Sequence, residues 1–287
     1  SMLAIGVFLS FRVLDVPDMT CEGSFPLGAA IAASLISVGA SPLWAVLGAM
    51  AGGILAGSVT GVLYTKLKIP AILSGILTQI ALWSINLRIM GKSNIPLLKS
   101  KTIFSGFMEL TGLKSSQVSA IIGILIAIIL ISALYWFFGT EIGSALRATG
   151  NNEDMIRALG VNTKMTKMIA LMLSNGLVGL SGGLVCQSQK YADIGMGTGA
   201  IVIGLAAIVI GDVLMGRLRS FYSRLTSAVV GSIVYFLIRA IVLQLGMDAN
   251  DMKLLSAVIV ALALCVPVAI NKYRAKRMYT EGGDENA

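Results

Sequence analysis

The sequence predicts an all-α fold: a polytopic transmembrane helical bundle of about nine spans, with a broken or re-entrant segment near residues 14–26. Three observations carry that prediction. Of 287 residues, 56% are hydrophobic and only 13% charged, where a soluble domain carries about 25% charged residues. The apolar residues fall in long blocks, and about 20 such residues are what a helix needs to cross the hydrocarbon core. Glycine fills 32 positions, which suits membrane helices that pack through small residues. A transmembrane barrel would instead show alternating strands of about ten residues.

The blocks lie at 2–13, 26–39, 42–63, 70–90, 118–138, 167–187, 196–215, 225–245 and 254–271. The first is too short to cross alone and lacks a basic flank, so either residues lie upstream of it or it enters only part of the bilayer. In the third, Gly48, Gly52, Gly53, Gly57 and Gly61 place small residues on one face at four-residue spacing. That face is expected to pack against another helix. Residues 91–117 form a long loop with an amphipathic stretch around 104–110 that could lie on the membrane surface, and 272–287 form a polar tail. The chain thus divides into a membrane domain, 1–271, containing a polar loop at 141–166, and the tail, 272–287.

Orientation follows from basic residues in the loops. With the C-terminus in the cytosol, thirteen Lys and Arg fall on the inner side, among them Lys66, Lys68, Arg147, Arg157, Lys164, Lys167, Arg217, Arg219 and Arg224, with four more in the tail. Six fall outside: Lys92, Lys99, Lys101, Lys114, Lys190 and Lys253. The bias agrees with the excess of positive charge in cytoplasmic loops. The net charge of +8 is explained in the same way. No basic run is interleaved with aromatics, so nucleic acid is not an expected partner. There is no histidine, and Cys21, Cys186 and Cys265 are far apart, which argues against zinc, a histidine-based triad or a structural disulfide.

The segment 14–28 holds three carboxylates, two prolines and two glycines between apolar blocks. Proline removes a backbone donor and glycine permits unusual turns, so the helix should break here. Broken backbone at membrane depth is tolerated where protein or a wet cavity surrounds it. Asp18, Thr20, Glu22 and Ser24 are therefore candidates for the solute path; the plainer reading is a loop with Asp18 or Ser24 as a helix cap. Gln79, Trp83 and Asn86 recur at four and three residues and share one helix face, suited to lining a cavity or to joining helices. Asp212 and Arg239 are costly in lipid. Asp212 is expected to pair with Arg217 or Arg219, and Arg239 suggests no role.

The loop 141–162 is organised. Asn151 or Asn152 can cap a helix whose first turn carries Glu153 and Asp154 against the positive end of its dipole. Met155, Ile156 and Leu159 give it an apolar side, Arg157 adds charge, and Gly160 is a natural stop. Such a helix is a docking element or lies flat on the bilayer.

The run Gly143-Ser-Ala-Leu-Arg-Ala-Thr-Gly-Asn-Asn, then Ala158-Leu-Gly-Val-Asn, then Leu173-Ser-Asn-Gly-Leu-Val-Gly-Leu-Ser-Gly-Gly resembles the coupling region of ABC importer permeases of the branched-chain amino acid and ribose type. The stretch from Arg12 to Gly28 is similar to a subgroup associated with amino-acid-like solutes such as tryptophan and tyrosine, with Cys21 and Pro26 as departures. The resemblance spans the chain. It implies a permease subunit of the bacterial inner membrane, in contact with lipid, that pairs with a second copy of itself, a cytosolic ABC ATPase dimer and an extracytoplasmic solute-binding protein. It further implies that Arg147 and residues 151–160 couple to the ATPase, and that ATP and Mg bind there, with no cofactor in this chain. Consistently, the sequence has no GxxxxGK[ST] loop. The competing reading is an ATPase-independent secondary transporter or channel, and an intramembrane enzyme would need paired catalytic groups that the spans lack.

Overall fold

A computed structural model describes residues 1–98, 100–216 and 220–245, with 251, 254, 256–262 and 265 beyond them. It is a bundle of helices joined by short turns. The first helix, α1 (Met2–Phe8), runs into a π-helical turn, Leu9–Val13. The chain then leaves helical geometry through Asp15, at a φ of 56°, and Pro17. Helix α2 (Cys21–Ser37) follows, then α3 (Pro42–Thr65), with a proline in its first turn, and α4 (Ala71–Met90). A short strand β1 (Asn94–Pro96) leads to α5 (Ile103–Thr111), α6 (Ser115–Gly139), α7 (Glu141–Asn151) and the single-turn α8 (Glu153–Ala158). Helix α9 (Thr163–Gln189), strand β2 (Tyr191–Asp193), a 3₁₀ turn (Ile194–Gly197), α10 (Ala200–Met215) and α11 (Phe221–Gln244) complete the series.

Two sequence expectations need correction. The break is shorter than 14–26: helix resumes at Cys21 and passes through Pro26. Proline there removes one donor, and the Glu22 carbonyl and the Pro26 ring are packed against Gly197, where a side chain would have no room. The count of nine spans is not reproduced either. Among the described residues, six helical stretches are long and apolar enough to cross: α3, α4, α6, α9, Ile194–Met215 and α11. The blocks at 2–13 and 26–39 fold as two shorter apolar helices on either side of the break. The ninth block, 254–271, lies largely outside the described residues, as do Lys99, Arg217, Arg219, Lys253 and the tail.

The core is built on backbone proximity. Helix α9 is the most deeply buried of the six. A Cβ at Gly53 would strike the Asn175 carbonyl and one at Gly57 the Leu171 carbonyl, while Gly61 meets Met168. The glycine stripe of α3 thus faces α9, with Gly48 and Gly52 against Ile31 and Leu35 of α2. Lipid tails are as apolar as leucine, so such close approach, rather than hydrophobic drive between helices, holds membrane bundles together. At one end β1 pairs antiparallel with β2, Asn94 opposite Asp193. At the other, Lys167 of α9 donates to the Tyr64 hydroxyl of α3 at 3.2 Å, and Arg12 pairs with Asp212 at 2.9 Å.

Candidate functional site

The break is fixed by a buried polar network. Asp18 is 1% exposed. Its Oδ1 accepts from the Thr20 backbone N–H at 2.9 Å, a local Asx turn, and its Oδ2 accepts from Asn175 Nδ2 of α9 at 2.6 Å. Ser24 Oγ donates to Asn175 Oδ1 at 2.7 Å. The Thr20 hydroxyl meets Thr60 of α3 at 2.7 Å, and Thr60 donates to Thr78 of α4 at 2.9 Å. Burying polar side chains is costly unless they bond to one another, and here they bond four helices to the interrupted segment. Asp18, Thr20 and Ser24 therefore face inward, onto protein. Asn175, Thr60 and Thr78 were missed at the sequence level, although an amide inside the apolar block 167–187 was a legible signal.

Glu22 faces elsewhere. Its Oε2 accepts from Gln79 Nε2 and its Oε1 from the Gly199 N–H, each at 3.1 Å. With Gln79, Trp83, Asn86 and Thr198 it lines a cavity of about 30 Å³. The structure thus joins one residue of the predicted break to the whole predicted face of α4. Asn86 Nδ2 donates to the Gly23 carbonyl at 3.3 Å, while its Oδ1 is buried without a hydrogen-bond partner among the described residues. Trp83 is half exposed. Positive φ at Gly199, 82°, lets the chain turn so that its N–H meets the carboxylate.

The 141–160 loop folds as two helices. Asn152 caps α8, its side chain accepting from Met155 N–H at 3.0 Å, while Asn151 ends α7. Gly160 turns at a φ of 84°. Ile156 is buried, whereas Asp154, Met155 and Leu159 are exposed. Glu153 bonds both Arg157 and Lys167, which ties α8 to α9. The Lys167 hydrogen bond holds the Glu153 carboxyl below its usual range. Arg147 is not grouped with α8: it donates to the Phe138 carbonyl at 2.8 Å and lies over the Phe221 ring. Of the costly span charges, Asp212 pairs with Arg12, 200 residues upstream; its expected partners lie outside the described residues. Arg239 borders a separate cavity of about 380 Å³ with Ser181, Gln189 and Ser232.

Six helices long and apolar enough to cross a bilayer, with an interrupted segment between two shorter apolar helices and a polar cavity beside it, mark the class as an integral membrane protein. The chain matches, over residues 1–266, the family described as branched-chain amino acid transport system, permease component, and it belongs to that family. It is 40% identical to the tyrosine transport system permease protein of Clostridioides difficile, covering 96% of this chain and 91% of that protein. An uncharacterized protein of Rickettsia prowazekii is 31% identical, over 91% of each chain. The ribose import permease protein RbsC of Escherichia coli is 25% identical, over 93% of this chain and 81% of its own length. No solved structure matches. The chain is an integral membrane permease subunit of the ABC transporter type, and hydrolysis of ATP is not its own chemistry.

Proposed function

We propose that this chain lines the translocation path of an ATP-binding cassette importer for an amino-acid-like solute, with a second copy of itself, and that α8 couples it to a cytosolic ATPase dimer. A solute-binding protein on the far side delivers the solute, and ATP and Mg belong to the ATPase. The observation that carries this reading is the convergence of Glu22, Gln79, Trp83 and Asn86 on one cavity, with the Asn86 oxygen buried and unpaired among the described residues. A carboxylate and a free amide oxygen suit an ammonium group, and an indole face suits a cation or an aromatic ring. The name of the tyrosine-system relative supports that preference over a sugar. At about 30 Å³ the cavity has room for water alone, so the solute requires a more open state. Asp18, Thr20 and Ser24 serve the path by holding the break in place.

The thirteen-to-six distribution of basic residues supports a cytosolic C-terminus and a cytosolic α8. Purification with the partner ATPase and binding protein tests the solute reading: tyrosine and related amino acids should stimulate hydrolysis. Equal stimulation of a Glu22→Gln, Asn86→Leu double variant would overturn the solute contacts. For orientation, Asn152→Cys in a Cys265→Ser background should resist an impermeant thiol reagent in intact cells; rapid labelling from outside would reverse the topology.

A further inference from the structure

A cavity of about 370 Å³ opens where the π turn of α1, helix α7 and the start of α11 meet. Arg12, Arg147 and Arg224 line it beside Phe8, Val13 and Phe221, and no Asp or Glu is among its described lining residues. Asp212 pairs with Arg12 from α10. Arg147 is held in place rather than free to leave: one terminal nitrogen is bonded to the Phe138 carbonyl, and its guanidinium lies 5.1 Å from the Phe221 ring centre. Its Nε is nevertheless buried with no partner among the described residues. That nitrogen is closed off from the cavity, so it is the outer edge of the guanidinium that a ligand there would meet.

The depth of the cavity is marked by neighbouring aromatics. Tyr135 and Trp136 near the end of α6, and Tyr222 in the first turn of α11, are exposed, and the two tyrosine rings lie 5.7 Å apart. Exposed Trp and Tyr collect at the membrane surface, at the level of the headgroups. The cavity thus joins guanidinium groups, whose planar forks fit phosphate oxygens, to an apolar wall of Phe8, Val13 and Phe221.

We propose that this cavity is a binding site for a phosphate-class oxyanion, supplied by the phosphodiester headgroup of an anionic membrane phospholipid. The headgroup bridges α1, α7 and α11 and so steadies the helix that leads into α8. Free inorganic phosphate offers the same chemistry, and the test separates the two sources. The purified full-length chain is titrated in detergent with phosphatidylglycerol or phosphatidylcholine, and retained lipid is counted by native mass spectrometry. The wild type and an Arg88→Gln control, altered at an exposed site on α4, should retain one phosphatidylglycerol per chain in preference to phosphatidylcholine. Arg224→Gln should weaken that retention, and Arg12→Gln with Arg224→Gln should weaken it at least tenfold, with thermal unfolding in phosphatidylcholine used to verify folding. Displacement by millimolar inorganic phosphate in the wild type, lost in the double variant, assigns the site to free phosphate; lack of displacement assigns it to lipid. Equal phosphatidylglycerol retention by wild type and both variants would overturn the site. So would a crosslink from the cavity to an acidic segment of the partner ATPase that excludes lipid.

Discussion

Replacing Asn175 by alanine removes the side chain that ties the break to α9. Three hydrogen bonds go with it, one within α9 to the Leu171 carbonyl at 3.0 Å and two across helices, to Asp18 at 2.6 Å and from Ser24 at 2.7 Å, whose side chains are both buried. Each buried polar group left unsatisfied costs about 1–3 kcal/mol. Against that, interhelical hydrogen bonds in a membrane protein average only about 0.6 kcal/mol by double-mutant cycle, with a maximum near 1.7, because the chain unfolded in lipid also finds partners. The Asp18 pair belongs near that maximum, since the other side-chain neighbour of its Oδ2 is a weak thiol contact at 4.0 Å. We expect a coupling energy of about 1.5 kcal/mol between Asp18 and Asn175, and a total loss of about 2–3 kcal/mol for Asn175→Ala once Ser24 is counted. Unfolding in mild detergent of the wild type, Asn175→Ala, Asp18→Ala and the double variant closes the cycle. A coupling energy within about 0.5 kcal/mol of zero, the scatter of independent sites, would refute the view that this pair locks the break.

Gly57→Ala drives a methyl group into the Leu171 carbonyl and should destabilise the bundle by about 1–3 kcal/mol. Gly123→Ala, whose methyl meets nothing within 4 Å, should gain about 0.5–1 kcal/mol of helix propensity; thermal unfolding of the two variants tests the contrast. Ile156→Pro deletes the bond from the Ile156 N–H to the Asn152 carbonyl, a change of about 3 kcal/mol in a helix interior. That variant should insert normally yet fail to co-purify with the ATPase, and unimpaired coupled transport would favour a carrier that needs no ATPase. The Glu153 pKa is depressed from 4.5 in the folded chain, so its contribution is complete above that value and is lost as pH falls through the lower one. Hydrogen exchange across 153–160 should therefore rise as the pH drops below 4.5, and Glu153→Gln should flatten that response.

What could be read in advance was local chemistry. The α3 glycine stripe shows itself through spacing alone, and Asn152 and Gly160 announce the ends of α8 because caps and left-handed stops depend on a few adjacent residues. The shared face of Gln79, Trp83 and Asn86 follows from helical period. What failed depended on tertiary partners. Pro26 looked like a breaker, but the bare backbone of Gly197 makes a place for it. The expected ion pair at Asp212 does form, but with Arg12, 200 residues away, while Arg217 and Arg219 lie outside the described residues. Hydropathy measures apolarity without saying whether protein or lipid absorbs it: α1 reads as a span fragment, and nearly all of it is buried inside the bundle. For the same reason the carboxylates of the break could not be sorted in advance. Asp18 turned toward the core and Glu22 toward a cavity, and only the packing around α9 and α4 separates them.

The glycine contacts also say where the bundle can flex. Backbone touches backbone at Gly28 with Gly179, Gly182 with Phe25 and Gly53 with Asn175, so α2, α3 and α9 have no side-chain cushion to slide on. A second such weld, Gly211 with Ser227 and Gly231 with Ala207, fuses α10 to α11. Between the two blocks α1 makes softer joints: Gly6 meets the Val178 side chain as well as backbone, and Gly204 meets the Val7 side chain. An alternating-access stroke should therefore rock one welded block against the other, with α1 as the bearing and the turn from Ile194 to Gly199 as the pivot. Distances between spin labels on α3 and α9 should then stay constant through the proposed import cycle while those between α9 and α11 change, and the opposite pattern would dissolve the division into blocks.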